Sequence, residues 1–190
     1  MDKKDPEIKI DFEERESEWP ASLKSISPDI NINLVDGYLT GAQILVEAVQ
    51  NNKFLSDELA YPIMYLYRHH LELKLKLIWT FLLDVKKVGE SYPKTHNLLR
   101  LWNGLYDSIM QIIPLTVQEN DTVKLCLEEF EKFDPSAESF RFSRRKDGVE
   151  IGQILSELDI LLVSKQINQC TDILEGILSG IDIKIHYGEI

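Results

Sequence analysis

One stretch constrains this chain more than any other: Tyr65-Leu66-Tyr67-Arg68-His69-His70-Leu71-Glu72-Leu73-Lys74-Leu75-Lys76. Its leucines continue into Leu77, Ile78 and Trp79, which marks the segment as a core helix. Residues i and i+4 share a helix face, so Arg68, Glu72 and Lys76 form a basic-acidic-basic row. His69 lies about 100° around the helix from Arg68. Buried charges are costly unless paired. The row is therefore either satisfied internally or lines a site.

A chain of 190 residues with 44% hydrophobic content has enough apolar matter for one domain with its own core. No apolar run reaches the length needed to span a bilayer, and no membrane association is expected. Met1-Asp2-Lys3-Lys4-Asp5-Pro6 lacks the layout of a signal peptide. Cys126 and Cys170 stand far apart with no ligand-like spacing, so they are expected to be reduced, buried and inert. Together these features point to a cytoplasmic protein. The net charge of -11 argues against general nucleic-acid binding, although Arg141 to Lys146 is a local basic patch able to meet phosphate.

Residues 1–34 read as an arm punctuated by Pro6, Pro20 and Pro28, with Trp19 and Ile26 as anchors. Helical periodicity starts near Asp36 and stops at Asn51-Asn52. A second helix is predicted from Ser56 or Asp57 to about Val88, before Gly89. A third follows Thr95 and ends before Pro114; a fourth covers Val117 to Phe133. Asp134-Pro135 predicts a capped short turn. Phe140-Arg141-Phe142, then the Lys146-Asp147-Gly148 turn, then Val149 and Ile151, predict a small inserted β-hairpin. The last helix is expected from Asp159 to about Gly180. Residues 35–182 form the predicted helical domain and 183–190 a C-terminal tail.

Each polar motif has two readings. Arg68, His69, Glu72 and Lys76 form either an ion-paired seam or an anion site. In the site, Arg68 and Lys76 hold phosphate, Glu72 orients Arg68, and His69 carries a proton. His96, in Lys94-Thr95-His96-Asn97-Leu98, is either an exposed neighbour of a cap or a general base beside Arg68. In a strand, Arg141 points away from Phe140 and Phe142 and is free to reach the bundle. Arg144, Arg145 and Lys146 are either a solvated hairpin tip or an RNA or partner contact. The sequence has no Gly-rich phosphate loop, His/Cys metal spacing or nucleophile elbow, so no metal or cofactor is expected.

In order and spacing these pieces resemble the HEPN-like helical bundles of bacterial proteins. The matching segments are Leu66 to Lys76, Thr95-His96-Asn97-Leu98 with Leu101-Trp102, Asp134-Pro135 through Phe140-Arg141-Phe142, and Leu174-Glu175-Gly176-Ile177. The resemblance spans about residues 35 to 182. It implies an all-α antiparallel bundle, a homodimer formed through the long helices, and a setting in bacterial defence or toxin–antitoxin systems, with a partner protein from the same system. Many such proteins are metal-independent RNases whose motif separates Arg from His by roughly four to six residues. No arginine here has a histidine at that spacing.

Two functions stand as expectations. The first is an RNA- or nucleotide-directed module, extending to a non-standard metal-independent endoribonuclease. There His96 or His69 acts as base, Arg68 and Arg141 bind phosphate, and Glu72 and Lys76 support them. The second is a non-catalytic interaction or dimerisation module whose polar cluster is structural.

Overall fold

The computed structural model describes residues 32–89, 93–135, 137–142, 147–150, 152 and 155–190. They form five α-helices: α1 (Ile32–Asn51), α2 (Ser56–Asp84), α3 (Leu98–Ile112), α4 (Val117–Phe133) and α5 (Ile160–His186). A 3-10 turn, Lys53–Leu55, joins α1 to α2. The chain is an all-α bundle, and none of its described helices is long and apolar enough to cross a membrane. Most of the expected N-terminal arm, with its anchors Trp19 and Ile26, lies outside the described residues, as do Arg144, Arg145 and Lys146.

Helix α2 sits at the centre. It packs on α1, α3 and α5, and α4 closes the bundle between α3 and α5. Its buried residues Ile63, Met64, Tyr67, Leu71, Leu75, Ile78 and Leu82 recur at three- and four-residue steps, the apolar stripe of a core helix. Trp79 and Trp102 add bulk where α2 meets α3. A Cβ on Gly104 would lie 2.6 Å from the Trp79 ring, so glycine there makes room for the indole.

The paired side chains set the helix directions. Gly41 lies against Leu66 and Tyr38 against His69, while His70 bonds to the Val35 carbonyl; α1 therefore descends as α2 rises. Toward α5 the order reverses. Tyr67 pairs with Ser164, His70 with Thr171 and Lys74 with Glu175, so α2 and α5 run parallel. The expectation of an antiparallel bundle holds for α1 and α2 but not for this pair. The short 3-10 link forces reversal, whereas two helices and the segment after α4 separate α2 from α5.

Several boundaries differ from expectation. Helix α1 starts at Ile32 rather than near Asp36, and Val35 in its first turn is fully buried. Helix α2 ends at Asp84, where Lys86 at φ 56° takes the left-handed position of a helix terminus. The Lys86 and Lys87 N–H groups bond back to Leu83 and Leu82, each at 2.9 Å. Helix α5 runs through Gly180 to His186, into the expected tail. Gly180 serves packing instead of ending the helix: a Cβ there would meet Ile113 Cδ1 at 2.6 Å. The turn that ends α5 uses Gly188 at φ 67°.

The expected first arm of the hairpin is a turn. Arg141 and Phe142 N–H both donate to the Glu138 carbonyl, at 3.0 and 3.2 Å. The cause lies upstream, where Asp134 Oδ1 accepts from the Glu138 and Ser139 N–H groups at 2.7 and 2.8 Å and curls the chain. Apart from an isolated bridge at Glu150, no strand forms among the described residues. Phe140 turns inward onto Phe130, and Phe142 stays exposed.

Candidate functional site

The polar row of α2 meets the start of α3 and the end of α4. Asn97 caps α3, its side chain accepting from the Arg100 N–H at 2.7 Å. That cap sets His96 just before the helix, with its carbonyl turned toward α2. Helix α4 starts with a reciprocal capping box between Thr116 and Glu119 and ends at Asp134. This phasing leaves Glu131 and Asp134 facing Arg68.

Arg68 is only 2% exposed, and each of its nitrogens faces a protein acceptor. Nη1 donates to Glu72 Oε2 at 2.9 Å, and Nη2 to the His96 carbonyl at 2.6 Å. Nε donates to the Asp134 carbonyl at 3.3 Å and lies 3.2 Å from Asp134 Oδ2. Glu131 Oε1 is farther off, at 3.9 Å. Arg68 thus ties α2 to both α3 and α4. Bifurcated, charge-assisted geometry of this kind suits a guanidinium and not an ammonium.

Glu72 is the hub beneath it. Oε1 accepts from Lys76 Nζ at 2.7 Å and lies 2.9 Å from His96 Nδ1. Burial alone would raise the Glu72 pKa, but Lys76, His96 and Arg68 outweigh it and hold the carboxyl below its usual 4.5. Glu131 goes the other way. Burial raises its pKa, only partly offset by the Leu98 N–H at 2.6 Å and by Arg68. Asn97 Nδ2 also donates to Glu131.

The expected site residues divide. Arg68, Glu72, Lys76 and His96 come together, and the His96 side chain is 66% exposed. His69 lies on the neighbouring face, 4.4 Å centroid to centroid from Tyr38 and stacked on Tyr65 at 5.8 Å. Burial lowers its pKa, with Arg68, Lys76 and His96 adding to the effect against Glu72. Arg141 stays apart, exposed, with its guanidinium over the Phe142 ring. The turn that replaces the strand is the reason: Arg141 has no extended backbone from which to reach the bundle.

Sequence reasoning missed Glu131 and Asp134 as partners of Arg68. The only signal was the Asp-Pro cap, which reported the turn and not the ion pair. It also missed a second network on the opposite face of α2. Fully buried His70 has Nδ1 2.9 Å from the Val35 carbonyl and Nε2 3.4 Å from Thr171 Oγ1. Lys74 bonds Glu175 at 2.5 Å and lies 3.6 Å from Asp36. The four-residue spacing of His70 and Lys74 was the available clue.

Among the described residues, no group of three or more His, Cys, Asp or Glu side chains is placed to hold a metal ion. Two grooves, of about 370 and 390 Å3, lie elsewhere, and neither is lined by Arg68, Glu72 or His96. Fold and site define a helical bundle locked by an arginine-centred polar network. No protein-family model, curated protein or solved structure matches the chain.

Proposed function

We propose that this chain is a HEPN-like helical module that acts by binding a second copy of itself or a partner protein, with the Arg68 network as an internal fixture. One observation carries the reading: Arg68 is sealed, and all three of its nitrogens are engaged by the protein. At 2% exposure the guanidinium has no open side on which to meet a phosphate, and moving Arg68 outward would leave Asp134 buried without its cation and Glu72 with Lys76 alone. Helices α1 and α5 retain exposed apolar side chains, Ile44 on α1 and Leu161, Leu162 and Ile183 on α5, suited to contact between copies. A bacterial defence or toxin–antitoxin setting follows from the family resemblance.

A second reading rests on His96. An exposed imidazole held at Nδ1 by a buried carboxylate is the arrangement a general base uses. An RNA-directed, metal-independent endoribonuclease would take its proton through His96, with Glu72 orienting the ring and Arg68 and Lys76 holding Glu72.

The deciding experiment incubates purified protein with labelled total RNA and tRNA in EDTA, alongside His96→Ala, with mass measured by sedimentation. Dimer formation without cleavage supports the binding module. Cleavage abolished in a fully folded His96→Ala variant supports the nuclease. A monomer that leaves RNA intact overturns self-association and leaves the partner protein.

A further inference from the structure

The groove of about 390 Å3 lies between α4 and α5, two helices that pack together. Its α4 wall runs from Thr122 through Cys126 and Glu129 to Phe133, which is three turns, or about 16 Å, of helix. Met64 of α2 and Val163 and Ile167 of α5 make the rest of it largely apolar. Cys126, expected to be buried, is partly exposed on this wall, whereas Cys170 is buried as expected. Leu125, also in the lining, is 60% exposed.

The groove of about 370 Å3 adjoins the first, since Met64, Leu155 and Leu158 line both. It adds Asp57 and Glu157. Every charged side chain in the described lining of the two grooves is therefore acidic: Asp57, Glu129 and Glu157. Asp57 stands in the first turn of α2, where the helix dipole favours a carboxylate anyway, so Glu129 and Glu157 carry more weight. Glu129 pairs with the exposed Lys132, a surface ion pair of little energy and readily exchanged.

We propose that the adjoining grooves dock an amphipathic helix of a partner protein, its apolar stripe along α4 and α5 and its lysines or arginines over Glu129 and Glu157. This gives the binding module proposed above its partner surface, and it rests on that reading. The length fits: apolar side chains at i, i+4, i+7 and i+11 of a docked helix recur over the same three turns as the α4 wall. Charge selects among the occupants. The chain's own stretch from Asp11 to Glu18 is acidic, and a second copy brings the same net charge of -11. Either would set carboxylates against carboxylates, whereas a basic helix is complementary.

The test uses the full chain and a synthetic helix with leucine at those four positions and lysine at the others. One control peptide scrambles the order, a second replaces lysine with glutamate, and a third is residues 1–31 of this chain. Binding is read by fluorescence anisotropy and by the rate at which iodoacetamide alkylates Cys126 in the folded protein. The leucine–lysine helix should bind and slow that alkylation. Leu125→Arg should weaken it about tenfold and Glu157→Lys about threefold. Ile44→Arg, at an exposed position of α1 outside both grooves, should leave binding unchanged.

Equal binding of the scrambled peptide, or Cys126 alkylated at an unchanged rate, would overturn the proposal. Tighter binding of the glutamate peptide or of residues 1–31 would overturn the basic partner. Sedimentation of the chain alone reads self-association separately. A monomer that binds the peptide refutes the contact between copies and supports the groove, and a dimer that ignores the peptide refutes the groove. If Leu125→Arg fails to fold, Glu157→Lys and the alkylation of the wild-type protein decide.

Discussion

Helix α2 carries two polar networks on opposite faces, and they are built differently. The Arg68 face is closed. Its guanidinium is enclosed by the His96 carbonyl, Glu72 and Asp134, with Glu131 at the edge. The His70 face is closed at one end and open at the other: His70 is fully buried, but Lys74 ends on Asp36 and Glu175, which are 59% and 54% exposed. The first links α2 to α3 and α4; the second links it to α1 and α5. One helix thus uses charge on one side and a neutral ring plus a wet ion pair on the other to fix its four neighbours. The lesson is that a polar side chain on a core helix is read from what encloses it and not from its charge alone.

Arg68→Met should show the largest effect. It removes the only cation within salt-bridge distance of Asp134 among the described residues and one of the two on Glu72. Breaking a buried pair in this way costs about 3–5 kcal/mol. Urea denaturation would read it as a fall in midpoint with the slope unchanged. A loss under about 1 kcal/mol would show the network to be looser than its geometry, and would erase the contrast between the two faces. His70→Ala should cost less, about 2 kcal/mol, from the cavity and from the lost hydrogen bond to the Val35 carbonyl.

The pH dependence sharpens the same contrast. Burial lowers the His70 pKa below 6.5, with Lys74 adding to that and Val35, Asp36 and Glu175 opposing it. A depressed histidine is neutral in the folded state and protonates first in the unfolded one. Its stabilising contribution is whole above pH 6.5 and is lost as pH falls through the folded value. Glu72 acts lower: its contribution is whole above 4.5 and is lost as pH falls through its depressed folded pKa. Glu131, with its raised pKa, opposes that, and its contribution is lost as pH rises through the folded value. Urea midpoints measured across this range should show a first decline just below pH 6.5. His70→Gln should flatten that decline, and His69→Gln is the needed control because burial lowers the His69 pKa too.

The sequence carried the helices well because periodic apolar residues and local caps are near-neighbour effects. Helix α4 begins and ends where Val117 and Phe133 indicated, with a capping box inside that signal. It failed where a distant contact overrode a local one. Gly180 looked like a helix stop but makes room for Ile113. Phe140-Arg141-Phe142 alternates like a strand, but Asp134 turns the chain before it can extend. The site was half legible for the same reason. Arg68, Glu72 and Lys76 announce one another at four-residue steps, whereas nothing local joins Arg68 to Asp134.

Lys74→Met tests the open end of the second network. Methionine keeps most of the buried stem, and Asp36 and Glu175 can return to water. The expected cost is about 0.5–1 kcal/mol, well below that of Arg68→Met. A cost equal to that of Arg68→Met would mean that exposed carboxylates hold a buried lysine as firmly as enclosed ones hold an arginine.

His96→Ala should have the smallest effect on stability and therefore says most about function. The ring is 66% exposed, and its contact with Glu72 is backed by Lys76 and Arg68, which remain when the imidazole is removed. The His96 carbonyl that accepts from Arg68 belongs to the backbone and survives the substitution. The loss should stay below about 0.5 kcal/mol in urea. A larger loss would place the imidazole inside the fixture with Arg68 and remove the physical basis for a nuclease reading. A negligible loss leaves a side chain held in place by a buried carboxylate while contributing nothing to the fold. That is the signature of a residue whose role is outside stability, and the RNA assay on the same variant then reports whether the role is proton transfer.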